Sequence, residues 1–527
     1  MKGCPKIQFI LFLFCNLFVS AQNETKIWYF GNHAGLDFNT SPPTILTNGA
    51  LGYSNQEGSA SIADAAGNLL FYTDGESIWD KTHNPMANGT GLLGHTSTTQ
   101  SSLIIKKYNS GTVYYIFTLD LQGGANGICY SLVDISLAAG NGSVTLKNIP
   151  LFAPSEEKLT AVKHANGSDV WILTHDYNSS NFRAHLLTPS GISTTAVVSS
   201  VGTLHDGSIQ TTQGCMKVSP DGKKVAVAVS GLHTLELYNF NDVTGILSNS
   251  VVLTNALLHV YGCEFSPDSK KLYAAGASDT ILYQWDLCVN PNVQTAIQNY
   301  TITLGGMQLA PDGKIYISRF NKQVLGVINA PNKAGTACNF IELGQSIAPK
   351  IGVFTLPNFP NFYFYAGPAL TINVLPNSTV CAGETITLSA SGASTYTWNL
   401  STIGSSIAVS PSITNTYSVI GTTTANCKFE QSIAVTVSPC TRIAEFENEH
   451  ALKIFPNPFR EKLSIDLTNF SAEFVRIKLF NTFGQSIYYK TIQTPYAEID
   501  LSFLESGLYY LFVEGNSIKC FYKVRKE

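Results

Sequence analysis

Charge is what this sequence has least of. Only 13% of its 527 residues are Asp, Glu, Lys or Arg, about half the roughly 25% of ordinary soluble chains. The formal net charge is -4, so nothing in the charge balance suggests nucleic acid or an anionic membrane, and neither is expected as a partner. Methionine is also scarce, at 4 residues. Past the N-terminus no run reaches the ~20 apolar residues of a membrane helix. Familiar catalytic signatures are missing too: there is no His-Glu-x-x-His, no Walker loop, no Gly-x-Ser-x-Gly elbow, no Cys-x-x-Cys pair and no EF-hand loop. Metalloprotease, P-loop and serine-hydrolase chemistry are therefore not indicated, and no cofactor or metal is expected. Ser, Thr, Asn and Gly fill the space that charge leaves, beside 24 Tyr and 29 Phe. That mixture belongs to exposed β-sheet in extracellular proteins.

The chain is too long for a single core, and two to four domains are expected. Residues 1–21 read as a signal peptide. Lys2 and Lys6 precede the apolar run from Ile7 to Val19, and Val19-Ser20-Ala21 places cleavage between Ala21 and Gln22. Phe14 stands before Cys15 where a lipid-anchor signal needs a small residue, so soluble secretion is expected. Of 11 cysteines, Cys4 and Cys15 leave with this segment. The remaining odd number leaves at least one unpaired in an oxidising compartment.

Between residues 22 and 366 one phrase repeats: an apolar strand, a Gly/Asp/Asn turn, and a second apolar strand. It is clearest in Met216-Lys217-Val218-Ser219-Pro220-Asp221-Gly222-Lys223-Lys224-Val225, in Cys263 to Tyr273 around Pro267-Asp268-Ser269, and in Met307 to Tyr316 around Pro311-Asp312-Gly313. Pro presets φ, Asp bonds nearby backbone and Gly accepts positive φ, which is hairpin chemistry. Looser copies turn at Gly67, Gly111 and Gly167. The intervals of 44 to 56 residues fit four-stranded propeller blades of roughly 40–50 residues. Six turns give six blades. The start, Lys26 to Asn32, lines up with Lys314 to Phe320 and reads as a further blade lacking its first strand, which Val353 to Tyr365 would supply. The expected fold is thus all-β, a seven-bladed (alternatively six-bladed) β-propeller, with a sandwich pair or solenoid as the competing architectures.

Residues 367–440 form a second unit of short alternating strands, read as a small sandwich. Charge then rises sharply: 22 of the 86 residues from Arg442 onward are charged, against 46 of the 441 before them. Residues 441–451 read as a linker and 452–527 as a last domain.

Three resemblances sharpen this reading. Val380-Cys381-Ala382-Gly383-Glu384 and Tyr396-Thr397-Trp398 resemble the immunoglobulin-like modules of Bacteroidetes surface proteins, and Cys381 with Cys427 is the expected disulfide of that module. Ile454-Phe455-Pro456-Asn457-Pro458-Phe459, Leu479 to Gln485 and Leu504 to Tyr510, followed by Lys523-Val524, resemble the type A C-terminal sorting domain of the type IX secretion system. Its anchors here are Pro456, Asn457, Pro458, Gly484, Gly507, Tyr509 and Lys523, and Cys520 is a departure from the pattern. The resemblance implies a small β-sandwich, the type IX machinery as partner, and a secreted or cell-surface location. The propeller resembles a group of Bacteroidetes surface proteins that share the Ile27-Trp28-Tyr29-Phe30-Gly31-Asn32 start and the Ala337 to Phe340 segment, and more distantly lactonase-like propellers.

Candidate chemistry is sparse. His175 and Asp176 follow the apolar strand Val170 to Thr174 and would face a propeller channel. His95 sits in a Gly-His-Thr-Ser loop, and Asp74 with Glu76 gives two carboxylates on one turn. For each, a structural hydrogen-bonding role is the plainer reading. Trp28, Trp79, Trp171, Trp285 and Trp398 read mostly as core rather than sugar platforms. Cys288 and Cys338 flank one blade and are a candidate bridge. The expected function is recognition of an extracellular glycan or protein. The alternative is a propeller hydrolase or lyase acting on polysaccharide or lactone.

Overall fold

The computed structural model describes residues 23–52, 57–278, 281–289, 293–300, 303–364, 371–375, 378–422, 428–438, 453–468, 474–493, 495–515 and 518–527. The signal segment with Ala21 and Gln22, the 441–451 linker, Cys427 and Cys440 lie outside them. Among the described residues no helix is long and apolar enough to cross a membrane.

The repeat folds as antiparallel meanders. In Met216–Val218, Lys224–Val229, Thr234–Asn241 and Ile246–Thr254 each strand pairs with the next. The same order recurs from Val260–Phe265 to Gln294–Asn299 and from Met307–Leu309 to Phe340–Ser346. The Pro-Asp turns behave alike. The amides of Gly222, Ser269 and Gly313 donate to the carbonyls of Ser219, Ser266 and Ala310 at 2.8, 2.9 and 2.9 Å. All three donors have positive φ, which Ser269 adopts at 61° without glycine's freedom. Earlier in the chain, Ile27–Phe30, Ala34–Asp37 and Thr44–Leu46 form a three-stranded sheet. The meanders that open at Ala60–Ala63 and Ser102–Lys106 are joined into one sheet at Ala87 and Ser143. The meander opening at Ser155–Lys163 ends with two short strands, Gly191–Ile192 and Val197–Ser200.

Each meander buries its faces against its neighbours. Trp171, Leu173 and Phe182 pack on Met216, Val225 and Val227. Ala226 and Leu235 pack on Phe265 and Trp285, and Tyr273 and Leu282 on Met307 and Ile315. The chain then meets its own beginning, because Tyr316, Leu325 and Val327 share a core with Trp28, Phe30 and Leu36. Similar cores link Tyr29 to Tyr72, Phe71 to Ile116 and Phe117 to Leu159. A sequence of sheets in which each packs on the next and the last on the first is a closed ring, the propeller arrangement, which protects sheet edges.

Trp28 closes that ring. Its indole lies 4.7 Å from the Phe38 ring, 5.7 Å from Tyr316 and 5.9 Å from Phe359, and its Nε1–H donates to the Thr25 carbonyl at 2.9 Å. Trp28→Ala is expected to cost about 3–5 kcal/mol, read as a drop in the denaturant midpoint.

The expected seventh first strand is corrected. Among residues 353–364 there is no strand. The segment makes one isolated bridge, Pro357 to Ser59, just after the bridge of Ile351 to Asn32, and ends in the 3-10 turn Asn361–Phe364. Its polar side chains face inward, as described below, so it cannot keep a ladder register. Cys338 is corrected as well: it is a free buried thiol, whereas Cys288 is disulfide-bonded. The 3-10 turn Gly335–Cys338 tucks Cys338 into the core beside Tyr273 and Phe340.

Between residues 371 and 438 strands pair in two sheets, one ordered Thr371–Leu375, Ile386–Ser391, Ser406–Val409, the other Thr379–Cys381, Lys428–Ser438, Asn415–Thr422, Thr395–Trp398. Cys381 is disulfide-bonded. In the tail, Lys453–Phe455, Lys462–Asp466 and Tyr496–Asp500 form one sheet and Ser486–Ile492, Val475–Phe480, Gly507–Gly515 and Ile518–Lys526 another, around Leu463, Ile477, Leu479, Ile499, Leu511 and Val513. Asn457 pins the last strand to the entry: its Nδ2 donates to the Lys523 carbonyl at 2.9 Å and its Oδ1 accepts from the Arg525 amide at 2.9 Å. Gly484 provides the positive φ of the turn that closes on Asn481, and the Tyr509 hydroxyl donates to the Glu505 carbonyl.

Candidate functional site

The centre of the ring is filled by the chain itself. The Thr355 hydroxyl donates to the Glu57 carbonyl at 2.7 Å, and the Asn358 amide to the Ser59 carbonyl at 2.8 Å. Asn358 Nδ2 donates to the carbonyls of Ser102 and Leu159 at 3.2 and 3.0 Å, and Asn361 Nδ2 to Val218 at 2.8 Å. One short segment touches so many first strands only on the axis. Gln100 ties the same strands: its Oε1 accepts from Leu159 and Met216 amides, and its Nε2 donates to the Met216 carbonyl and to Asn358 Oδ1. Beside it Lys217 donates to Gln308 at 2.6 Å and lies 3.4 Å from Glu264, whose carboxylate also accepts from the Phe265 and Leu309 amides. The cavity that Thr99, Gln100, Cys215, Lys217, Thr355 and Asn358 help to line holds ≈ 10 Å³, room for about one water.

A second buried polar cluster begins at the strand Ser155–Lys163. Ser155 pairs with Asp176 but Leu159 with Thr174, so three residues oppose one. This bulge takes Glu156, Glu157 and Lys158 out of the ladder, and all three are fully buried. Glu156 Oε2 lies 2.8 Å from His205 Nδ1, 3.4 Å from His175 Nδ1 and 3.2 Å from Lys158 Nζ. The two imidazoles stack at 4.0 Å with 22° between planes, and the Phe182 ring meets His175 edge-on at 4.6 Å. Lys158 Nζ donates to the carbonyls of Thr211, Thr212 and Gln213 at 3.3, 2.8 and 3.4 Å. Glu157 accepts from the Thr99 amide and hydroxyl at 3.0 and 2.8 Å.

Burial sets the protonation of these groups. Burial, then the neighbouring His175, push His205 down to about 4, so it is neutral at physiological pH. Burial pushes the Glu156 carboxyl up, but Lys158 and the two histidines outweigh it and hold it far below the usual carboxylate range. Glu157 is raised, again chiefly by burial. Burial and the Glu157 charge push Glu57 up to about 9, so it is a neutral acid at pH 7.

Of the residues singled out in sequence, only His175 joins this cluster. Asp176, its neighbour, points elsewhere: Arg183 donates to its two oxygens at 2.6 and 3.0 Å, and the Arg183 guanidinium covers the Phe152 ring at 3.5 Å. Asp74 shapes its own turn by accepting from the amides of Glu76 and Ser77, and burial raises its pKa. Glu76 Oε1 accepts from the Thr96 amide at 3.1 Å, and His95 Nδ1 accepts from the Ser97 amide at 3.0 Å. These three therefore organise adjoining loops. Trp28, Trp171, Trp285 and Trp398 are buried, and Trp79 stacks on Tyr72 at 5.7 Å. Glu156 and His205 were missed in sequence. Their signal was the run Glu156-Glu157-Lys158 inside an otherwise apolar strand of a charge-poor chain.

An open cleft of ≈ 370 Å³ lies on the surface, lined among others by Leu93, Asn126, Cys129, Asn148, Leu151 and Phe152. Its volume is that of a small-ligand site.

Residues 453–527 match the family described as a secretion system C-terminal sorting domain. No curated protein matches the chain. Among solved structures the chain is similar to a putative 6-phosphogluconolactonase from Bacteroides uniformis, at 14% identity over 73% of this chain and 98% of that one, TM-score 0.36. It is also similar to a periplasmic gluconolactonase of Pseudomonas aeruginosa, at 11% identity over 70% and 95%, TM-score 0.35. A β-propeller domain from Myceliophteria thermophila aligns at 9% identity over 56% and 94%, TM-score 0.33. At these TM-scores the likenesses bear no weight for an activity, and the ring rests on strand order and shared cores. The tail is a type IX secretion sorting domain, and the protein that carries it is secreted or displayed at the cell surface.

Proposed function

We propose that this is a secreted seven-bladed propeller that binds an extracellular glycan or protein through its exposed loops, followed by an immunoglobulin-like module at 367–440 closed by a Cys381–Cys427 disulfide. The observation that carries this reading is the occupied axis. Residues 355–361 fill the place where propeller enzymes would admit substrate, and the cluster around Glu156 has no exposed surface. Among the described residues, surface loops and the 370 Å³ cleft are open to a ligand.

The test uses the full secreted chain on one panel of polysaccharides and envelope proteins, scored for binding and for product. Saturable binding without product supports the reading, and Phe152→Ala is then expected to weaken a ligand seated in the cleft. Product release at a rate above the buffer control would overturn it in favour of a hydrolase or lyase.

Export gives an independent prediction. Deleting residues 453–527 is expected to abolish appearance of the protein in the medium and on the cell surface. Immunoblots of medium, surface-labelled and periplasmic fractions measure this, with the signal moving to the periplasm.

A further inference from the structure

The cluster at the bulge is left incomplete by the hydrogen bonds it makes. Glu156 Oε1, both ring nitrogens of His175 and Nε2 of His205 are buried with no hydrogen-bond partner. Burying such atoms unpaired costs about 1–3 kcal/mol each, and native proteins seldom tolerate four together without an ion or water. By contrast, the nearby Lys217–Glu264–Gln308 cluster spends its donors and acceptors on one another and on backbone amides.

We propose that Glu156, His175 and His205 form a binding site for one divalent transition ion of the zinc class. One donor atom from each lies within 4.8 Å of the others. The donors of a tetrahedral zinc site, at about 2.0–2.2 Å from the metal, lie roughly 3.3 Å apart. The 2.8 and 3.4 Å separations of the two Nδ1 atoms from the carboxylate straddle that value. Two imidazoles and one carboxylate suit zinc, and exclude a hard-ion site built only from oxygen. A neutral imidazole offers one lone pair and keeps its proton on the other nitrogen. Lys158 is the opposing feature, since its ammonium lies 3.2 Å from Glu156 Oε2. Its charge is shared with three backbone carbonyls. The site would bridge the strand Ser155–Lys163, the strand Val170–Asp176 and the loop carrying His205, fastening that loop to the ring.

Because the cluster has no exposed surface, the ion must enter during folding. The test is elemental analysis of the full secreted chain, produced in zinc-supplemented medium and dialysed against metal-free buffer. About one retained zinc per chain is expected. Growth with cobalt should give the visible absorption of a tetrahedral cobalt site. His175→Ala with His205→Ala should lose the retained ion, while Lys158→Met, which removes the repulsion but keeps the stem, should hold it. A wild-type chain that is folded by circular dichroism yet retains no transition metal would overturn the proposal. So would retained metal that the double histidine variant keeps, because the ion would then sit elsewhere.

Discussion

Asn358→Ala is expected to lower the unfolding free energy by about 3–6 kcal/mol. The side chain makes three bonds at the ring's centre, two donated to the carbonyls of Ser102 and Leu159 and one accepted from Gln100. Its loss leaves buried groups on three elements unpaired at about 1–3 kcal/mol each. The adjoining cavity holds only ≈ 10 Å³, room for about one water to compensate. The effect should be read as a lower guanidinium midpoint with an unchanged slope, since the surface exposed on unfolding stays the same. A midpoint equal to wild type would show that the segment does not bind the strands together.

Glu57→Gln is expected to do the reverse, and only above acid pH. Glu57 titrates at about 9 in the folded chain against an ordinary 4.5. The folded state therefore holds its proton more tightly than the unfolded state between those values. Stability from this group is complete below about pH 4.5 and falls as pH rises towards 9. Each pH unit in that window costs about 1.4 kcal/mol. Glutamine keeps the shape of the neutral acid and never ionises. The variant should match wild type near pH 4.5 and exceed it by about 5 kcal/mol at pH 8. Parallel midpoint-against-pH curves for the two proteins would contradict the assignment.

Much of the architecture was legible because hairpin chemistry is local. Pro220-Asp221-Gly222 specifies its turn within four residues, and the structure closes that turn as expected. The tail was legible through its resemblance to a sorting domain; Gly484 and Tyr509 act locally there, whereas Asn457 reaches Lys523 and Arg525 at the far end of the domain. The axis was not. Val353, Leu356 and Phe359 are apolar enough to read as a strand, but Asn358 and Asn361 spend their side-chain amides on Ser102, Leu159, Val218 and Glu264, and no local pattern encodes that. The cluster at Glu156 escaped for a related reason. His205 lies 49 residues from Glu156, and only the bulge at Ser155 to Leu159 turns consecutive charges inward. Cys338 was judged by its position along the chain, whereas the turn at Gly335–Cys338 decides its surroundings.

The central claim is that the ring is closed by its own chain and presents loops rather than an open channel. Hydrogen exchange at the amides of Asn358 and Phe359 tests it most directly. These amides donate to the Ser59 carbonyl and to Gln308 Oε1 at the axis, so they should exchange as slowly as those of the strand Lys224–Val229. Exchange at the rate of an exposed loop, in a protein whose strands remain protected, would mean the axis is open and would contradict the account.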